Sequence, residues 1–169
     1  VVHRSVPNKP GMQHLEVYWD ANDSNSYSLA DSTKVYDLSN NGMTGTITGT
    51  NAFDTEYNAW VFDGSGDYIS SPAHNASWVT GDFVHSISMW TNYQLFWMGT
   101  NTNAQRINIY LASSNKRLYY SFRGDDNSID FTPLINRWFH ITVTYDGTTN
   151  DNARSIYIDG IKQTTTLGG

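Results

Sequence analysis

Along most of this chain apolar and polar side chains alternate with a period of two, and the 3.6-residue period of an amphipathic helix is hardly visible. Leu15, Val17 and Trp19 alternate with Glu16 and Tyr18. Residues 60–62 form a short aromatic run, and 83–92 set Ile87 and Met89 opposite Ser86, Ser88 and Trp90. Residues 106–111 and 118–123 read as strands joined by a polar hairpin loop, Ser113-Ser114-Asn115-Lys116, and 139–145 alternate cleanly. The strongest local signal is Asp159-Gly160 between the β-branched runs 156–158 and 161–163, because a two-residue type I′ turn needs positive φ at both centres. Strands with turn signals at short intervals and no interleaved helices predict an all-β domain, a two-sheet sandwich or a barrel. Alternation assigns Trp60, Phe62, Ile69, Ile87, Met89, Ile109, Leu111, Ile141, Val143, Ile156 and Ile158 to the core.

Composition supports strands and turns. Asn, Ser and Thr supply 17, 17 and 18 residues, there are 24 aromatics, and Glu16 and Glu56 are the two glutamates. The 169 residues are enough for one domain with its own core. A net charge of −6 leaves counterion release no basic patch to work with, which argues against nucleic acid as a partner. With no cysteine, disulfides, thiolate metal sites and Cys nucleophiles drop out. The longest apolar run, Leu95 to Met98, is far short of the roughly twenty residues of a membrane span, so no membrane insertion is expected. No secretory signal pattern precedes Met12, so Val1 is expected to be a processed or truncated end.

Six segments in order, LEVYWDANDSNSY, VYDLSNNGMTGTITG, WVFDGSGDYIS, SISMW, RWFHITVTYDG and SIYIDGIKQ, resemble the laminin-G-like, concanavalin A-like jelly-roll family, which also includes pentraxins and jelly-roll glucanases. The first two most resemble versions in bacteriophage virion and marine bacterial surface proteins. The resemblance implies a two-sheet antiparallel concanavalin A-like jelly-roll sandwich over residues 15–169, preceded by an extension or linker at 1–14. It also implies further strands, one of them beside 15–19, which the chain ending at Leu167-Gly168-Gly169 does not supply. The expectation is therefore a domain lacking its C-terminal strands, part of a longer polypeptide or an oligomer, with an open edge at 15–19.

Glucanases of this fold use paired glutamates on one strand, and nothing here supplies them: Glu16 and Glu56 lie 40 residues apart. Asp63 and Asp67 flank Gly64-Ser65-Gly66 and read as a turn. His3, His14, His74, His85 and His140 show no metal-ligand spacing, and His140, in an alternating strand, reads as a packed or surface imidazole. Calcium is an optional ligand: Asp125-Asp126-Asn127-Ser128 with Asp130 offers several oxygens, against the plainer reading of a solvated acidic loop. Asp20 to Asn25 has a calcium-loop look but lacks the glycine and distal glutamate of an EF-hand, and a turn is preferred. No cofactor is required.

Neutral amides and hydroxyls beside aromatic rings suit a polyhydroxylated sugar, whose C–H faces stack while its hydroxyls exchange hydrogen bonds. The candidate ligand residues are Tyr93, Trp97, Asn101, Asn103, Tyr119 and Arg123, of which alternation must turn Trp97 and one of Tyr119 and Tyr120 inward. The expected function is a non-catalytic glycan- or protein-binding surface module on an extracellular or virion surface, such as a phage fibre or capsid decoration. The alternatives are a structural cement module that binds no sugar and, further off, a glycosidase relative.

Overall fold

A computed structural model describes residues 14–49, 52–71, 83–92, 96–99, 106–112, 114–122, 125–134, 136–148 and 153–168. The expected N-terminal extension lies outside these residues except for His14. The described secondary structure is β throughout apart from short 3₁₀ turns, so no helix there is long and apolar enough to cross a membrane. The strands are β1 (Lys34–Val35), β2 (Gly45–Thr48), β3 (Ala52–Asp54), β4 (Ala59–Val61), β5 (Tyr68–Ser70), β6 (His85–Thr91), β7 (Phe96–Gly99), β8 (Arg106–Ala112), β9 (Arg117–Phe122), β10 (Asp125–Asp130), β11 (Phe139–Tyr145), β12 (Arg154–Ile158), β13 (Ile161–Lys162) and β14 (Thr166–Gly168). They gather into two compact units, residues 1–74 and 75–169.

In the first unit β1, β2 and β5 form an antiparallel sheet in the order β1-β2-β5, and β3 and β4 form a hairpin. Tyr27, Val35 and Ile47 are its buried centre, with Trp19, Phe53, Trp60 and Ile69 packed around them. The ring of Tyr27 stacks on Phe53 and meets Trp60 edge-on. Gly45 is required by this packing, since a Cβ there would come within 2.6 Å of Ile69 and 3.0 Å of Trp19.

Residues 15–19 are not a strand, which corrects the reading from alternation. Side chains of the 37–43 loop take its backbone groups in place of a ladder. Asp37 Oδ1 accepts the Tyr18 N–H, and Asn41 Nδ2 donates to the carbonyls of Leu15 and Glu16. Leu38 N–H closes on the Tyr18 carbonyl and Trp19 Nε1 donates to Met43 O. The Leu15, Glu16 and Tyr18 carbonyls and the Tyr18 amide thus have partners outside any strand ladder.

The second unit is a two-sheet antiparallel sandwich. Its five-stranded sheet runs β14-β10-β9-β8-β7 and its four-stranded sheet β13-β12-β11-β6. The core lies between them: Ile107, Ile109, Leu118, Tyr120 and Ile129 from the first sheet meet Phe139, Ile141, Val143, Tyr145, Ile156 and Ile158 from the second. β11 shows the period of two directly, with four buried residues alternating with half-exposed His140, Thr142 and Thr144. At the β12–β13 turn Asp159 and Gly160 have φ of 50° and 80°, as a type I′ turn demands.

Burial of the expected core is only partly complete. Ile109, Ile141, Val143, Ile156 and Ile158 are buried, while Ile87, Met89 and Leu111 are partly buried against the same cluster. Trp60 and Ile69 are partly buried against the smaller core of the first unit, and Phe62 is half-buried. The parity is right, but among the described residues β6 is the outermost strand of its sheet and the first unit's sheet is narrow, so the side chains of β6 and of the first unit are covered from fewer directions. Residues 125–130, expected as an acidic loop, are instead strand β10, paired with β9 on one side and β14 on the other. Asp and Asn disfavour strands in isolation, and the two flanking ladders override that preference.

Candidate functional site

The candidate site is the outer face of the five-stranded sheet. Alternation that turns Ile107 and Ile109 of β8 inward leaves Asn108 and Tyr110 outward, and on β9 buried Leu118 and Tyr120 leave Arg117, Tyr119 and Ser121 on the other side. The register sets Tyr110 opposite Tyr119 and Asn108 opposite Ser121, and continues through Tyr119 to Ser128 and through Ser121 to Asp126. The rings of Tyr110 and Tyr119 stack almost parallel, with centroids 4.9 Å apart and 9° between planes.

Both phenols are fixed. Tyr110 donates its hydroxyl hydrogen to Asp126 Oδ2 at 3.3 Å, and Tyr119 Oη accepts from Asn115 Nδ2 at 2.8 Å. Asn115 stands in the β8–β9 turn, where Lys116 takes a positive φ of 56° and Asn115 Oδ1 accepts the Arg117 N–H. Arg117 is held across β10: Nε donates to Ser128 Oγ at 2.8 Å and Nη2 to the Ser128 carbonyl at 3.0 Å. Ser121 and Ser128 are buried between the larger side chains. The result is a pair of immobilised aromatic rings flanked by an amide, a carboxylate and a guanidinium on a rigid sheet, an arrangement suited to stacking and hydrogen-bond exchange with a polar ligand.

Of the ligand residues expected from sequence, Tyr119 is in this face. Trp97 pairs with Asn108 between β7 and β8, on a ladder leading to Ser121 and Asp126. Tyr93, Asn101, Asn103 and Arg123 lie outside the described residues. The inward-facing tyrosine is Tyr120. Asn108 and Tyr110 were missed as ligand candidates, although their alternation with Ile107 and Ile109 carried the signal.

The three aspartates expected as metal ligands are spread along β10. Asp126 and Asp130 share a face four residues apart, about 13 Å at strand rise, too far for one cation held by β10 alone; the Asp125 side chain lies outside the described residues. Asp130 accepts the Thr132 N–H, and hydrogen bonds from the Thr132 backbone and side chain hold its carboxyl below the usual range. No group of three His, Cys, Asp or Glu side chains able to hold a metal occurs among the described residues. Asp20 and Asp23 accept N–H groups two residues ahead, and Ser65 N–H closes on Asp63, so both segments are turns.

The outer face of the four-stranded sheet is different. Trp90 is 68% exposed, and its ring centroid lies 5.3 Å from that of His140. His140 Nε2 and Ser88 Oγ share a hydrogen bond of 2.8 Å, and Ser88 Oγ is 3.2 Å from Thr142 Oγ1. His140 is thus a surface imidazole tied into a cross-strand row.

A family model described as the concanavalin A-like lectin/glucanases superfamily matches residues 63–168, more than half of the chain. No curated protein and no solved structure matches it.

Proposed function

Because the chain belongs to the concanavalin A-like lectin/glucanase superfamily, we propose that it is a non-catalytic module that binds a glycan, or a protein bearing one, on the outer face of its five-stranded sheet. The observation that carries this reading is the fixed Tyr110–Tyr119 stack with Asn115, Asp126 and Asn108 around it. Rings already immobilised lose little entropy when a sugar packs on them. The surface that displays the module is extracellular, on a virion such as a phage fibre or capsid, or on a bacterial cell. The support for that placement is the likeness of LEVYWDANDSNSY and VYDLSNNGMTGTITG to virion and surface proteins. Partners are a glycan or other subunits of an assembly.

Catalysis is not part of the proposal. Retaining and inverting glycosidases need two carboxyls roughly 5 to 9.5 Å apart, and on this face Asp126 and Asp130 are held farther apart than that by the rise of β10. Glu16 and Glu56 lie 40 residues apart in the sequence and form no pair at strand spacing. The binding role needs no cofactor, and calcium is an optional addition.

A glycan array probed with the intact chain, followed by calorimetry on any hit, tests the reading. Binding that falls at least about tenfold in Tyr119→Ala, the equivalent of about 1.4 kcal/mol, supports it. Binding indifferent to both Tyr119→Ala and Tyr110→Ala overturns this site. Release of reducing ends from a bound polysaccharide would overturn the non-catalytic assignment. One observation favours the second reading, a structural cement module: exposed Trp90 is the kind of aromatic that a subunit contact would cover. No glycan binding, with self-association abolished by Trp90→Ala, would select it.

A further inference from the structure

Two apolar side chains on the core side of the sandwich stand in water. The ladder sets Leu167 of β14 beside Asn127 of β10, which is 1% exposed, yet Leu167 is 51% exposed. Ile161 of β13, opposite buried Ile158, is 68% exposed. β13 and β14 are the outermost described strands at one side of the two sheets, and residues 163–165 join them. Their edges differ in chemistry. β13 carries exposed Lys162, a charge of the kind that discourages strand addition. Residues 164–168, Thr-Thr-Thr-Leu-Gly, carry neither charge nor proline, and Thr164, Thr166 and Leu167 are exposed. Among the described residues β14 has β10 as its single ladder partner. An exposed, uncharged, β-branched edge is a template for another strand.

We propose that β14 is a self-association edge whose occupant is β14 of a second copy of this chain, paired antiparallel about a two-fold axis at Leu167. Register and charge both favour a second copy. With Leu167 opposite the partner's Leu167, Thr166 falls opposite the partner's Gly168, so each branched side chain meets a residue that leaves it room. The central row then runs Asn127, Leu167, the partner's Leu167, the partner's Asn127, and each leucine covers the other. The next row runs Ser128, Thr166, the partner's Gly168, the partner's Asp126. Asp126 and the partner's Asp126 are thus three strand spacings apart, about 14 Å, and in different rows. That exceeds the Debye length of about 8 Å at physiological salt, so the net charge of −6 per copy puts no repelling pair at the joint.

The pairing would join two five-stranded sheets into one continuous sheet and turn both Tyr110–Tyr119 stacks to the same side. A ladder of about five residues is at the small end of interface sizes, so free copies associate weakly. Two copies on one polymer associate more strongly, because the second contact is then intramolecular. The association itself does not rest on the glycan reading and is measured without a ligand.

Two measurements on the intact chain test the edge. In sedimentation velocity the weight-average mass should rise with concentration toward twice that of the monomer, and Leu167→Lys should weaken the association at least tenfold while its melt stays cooperative. The chain has no cysteine, so single cysteines report contacts cleanly. Residues directly opposite in an antiparallel pair have Cβ atoms about 4.5–5.5 Å apart, within reach of a disulfide after a small adjustment. Under mild oxidation Leu167→Cys should therefore cross-link at least tenfold faster than Val84→Cys, which is 72% exposed and precedes β6 at the other side of the four-stranded sheet. A chain that stays monomeric at every concentration, association that survives Leu167→Lys but is lost in Trp90→Ala, or equal cross-linking of the two cysteine variants overturns the proposal. Should Leu167→Lys fail to fold, the cysteine comparison decides alone.

Discussion

Tyr120 donates its hydroxyl hydrogen to His85 Nε2 across 2.6 Å inside the sandwich. The tautomer follows from the other ring nitrogen. His85 Nδ1 lies 3.0 Å from the Phe83 carbonyl, which can only accept, so Nδ1 carries the hydrogen and Nε2 offers its lone pair to Tyr120. This bond links β6 of one sheet to β9 of the other and holds the imidazole neutral. Burial depresses the His85 pKa, the Phe83 hydrogen bond opposes that, and the Arg154 charge depresses it further. Burial also raises the Tyr120 pKa strongly, so the phenol keeps its proton.

A pH dependence follows. The unfolded chain takes up a proton at His85 near pH 6.5, whereas the folded chain resists until lower pH. The His85 contribution to stability is therefore complete above about pH 6.5 and is lost as pH falls from there through the folded pKa. Thermal melts should show the midpoint dropping between about pH 7.5 and 5.5, and His85→Gln should flatten that slope. A slope unchanged in the variant would locate the sensitive group elsewhere.

Asp37 should prove the most sensitive carboxylate of the first unit. Burial works against its ionisation, but hydrogen bonds from the Ser39 hydroxyl and from the N–H groups of Tyr18, Ser39 and Met43 outweigh that and hold its pKa below the usual value. A depressed acid pKa stabilises the fold above the unfolded value of about 4 and loses that contribution as pH falls through the folded one. Asp37→Asn keeps the shape but removes the charge and one acceptor oxygen, and should cost about 1–3 kcal/mol. Amide hydrogen exchange over residues 15–43 should accelerate while β11 and β12 keep their protection.

The Tyr110–Tyr119 stack should be measurable without any ligand. A double-mutant cycle on Tyr110→Ala and Tyr119→Ala, read by urea denaturation, is expected to give a coupling of about 0.5–1.5 kcal/mol. Coupling indistinguishable from zero would mean that the two rings are not held together in solution, and the preorganised face would fall with it.

The β12–β13 turn should tolerate loss of its ion pair far better than loss of its glycine. Arg137 and Asp159 meet at 2.9 Å with both side chains well exposed, so Arg137→Ala should leave the melting midpoint essentially unchanged. Gly160→Ala forces a Cβ into φ of 80° and should destabilise by about 1–2 kcal/mol. Equal shifts in the two variants would contradict this account of the turn.

Alternation and turn chemistry in the sequence already determined the all-β class, the strand at 139–145 and the Asp159-Gly160 hairpin, because each is decided within a few residues of chain: a period of two fixes which side chains share a face, and positive φ selects Asp-Gly. The same logic made Tyr119 a surface candidate but could not say whether it or Tyr120 faced outward. That choice was made by packing, where Tyr120 found His85 as a partner inside the core. Only the tertiary structure could turn the acidic run 125–130 into a strand, since the ladders of β9 and β14 supply hydrogen bonds that outweigh the local reluctance of Asp and Asn. Likewise the alternating 15–19 gave a strand pattern, yet Asp37 and Asn41, some twenty residues away, took its backbone groups with side chains. Local periodicity reports which face a residue prefers; which partner satisfies its backbone is a long-range question, and long-range contacts are settled only when the whole unit folds.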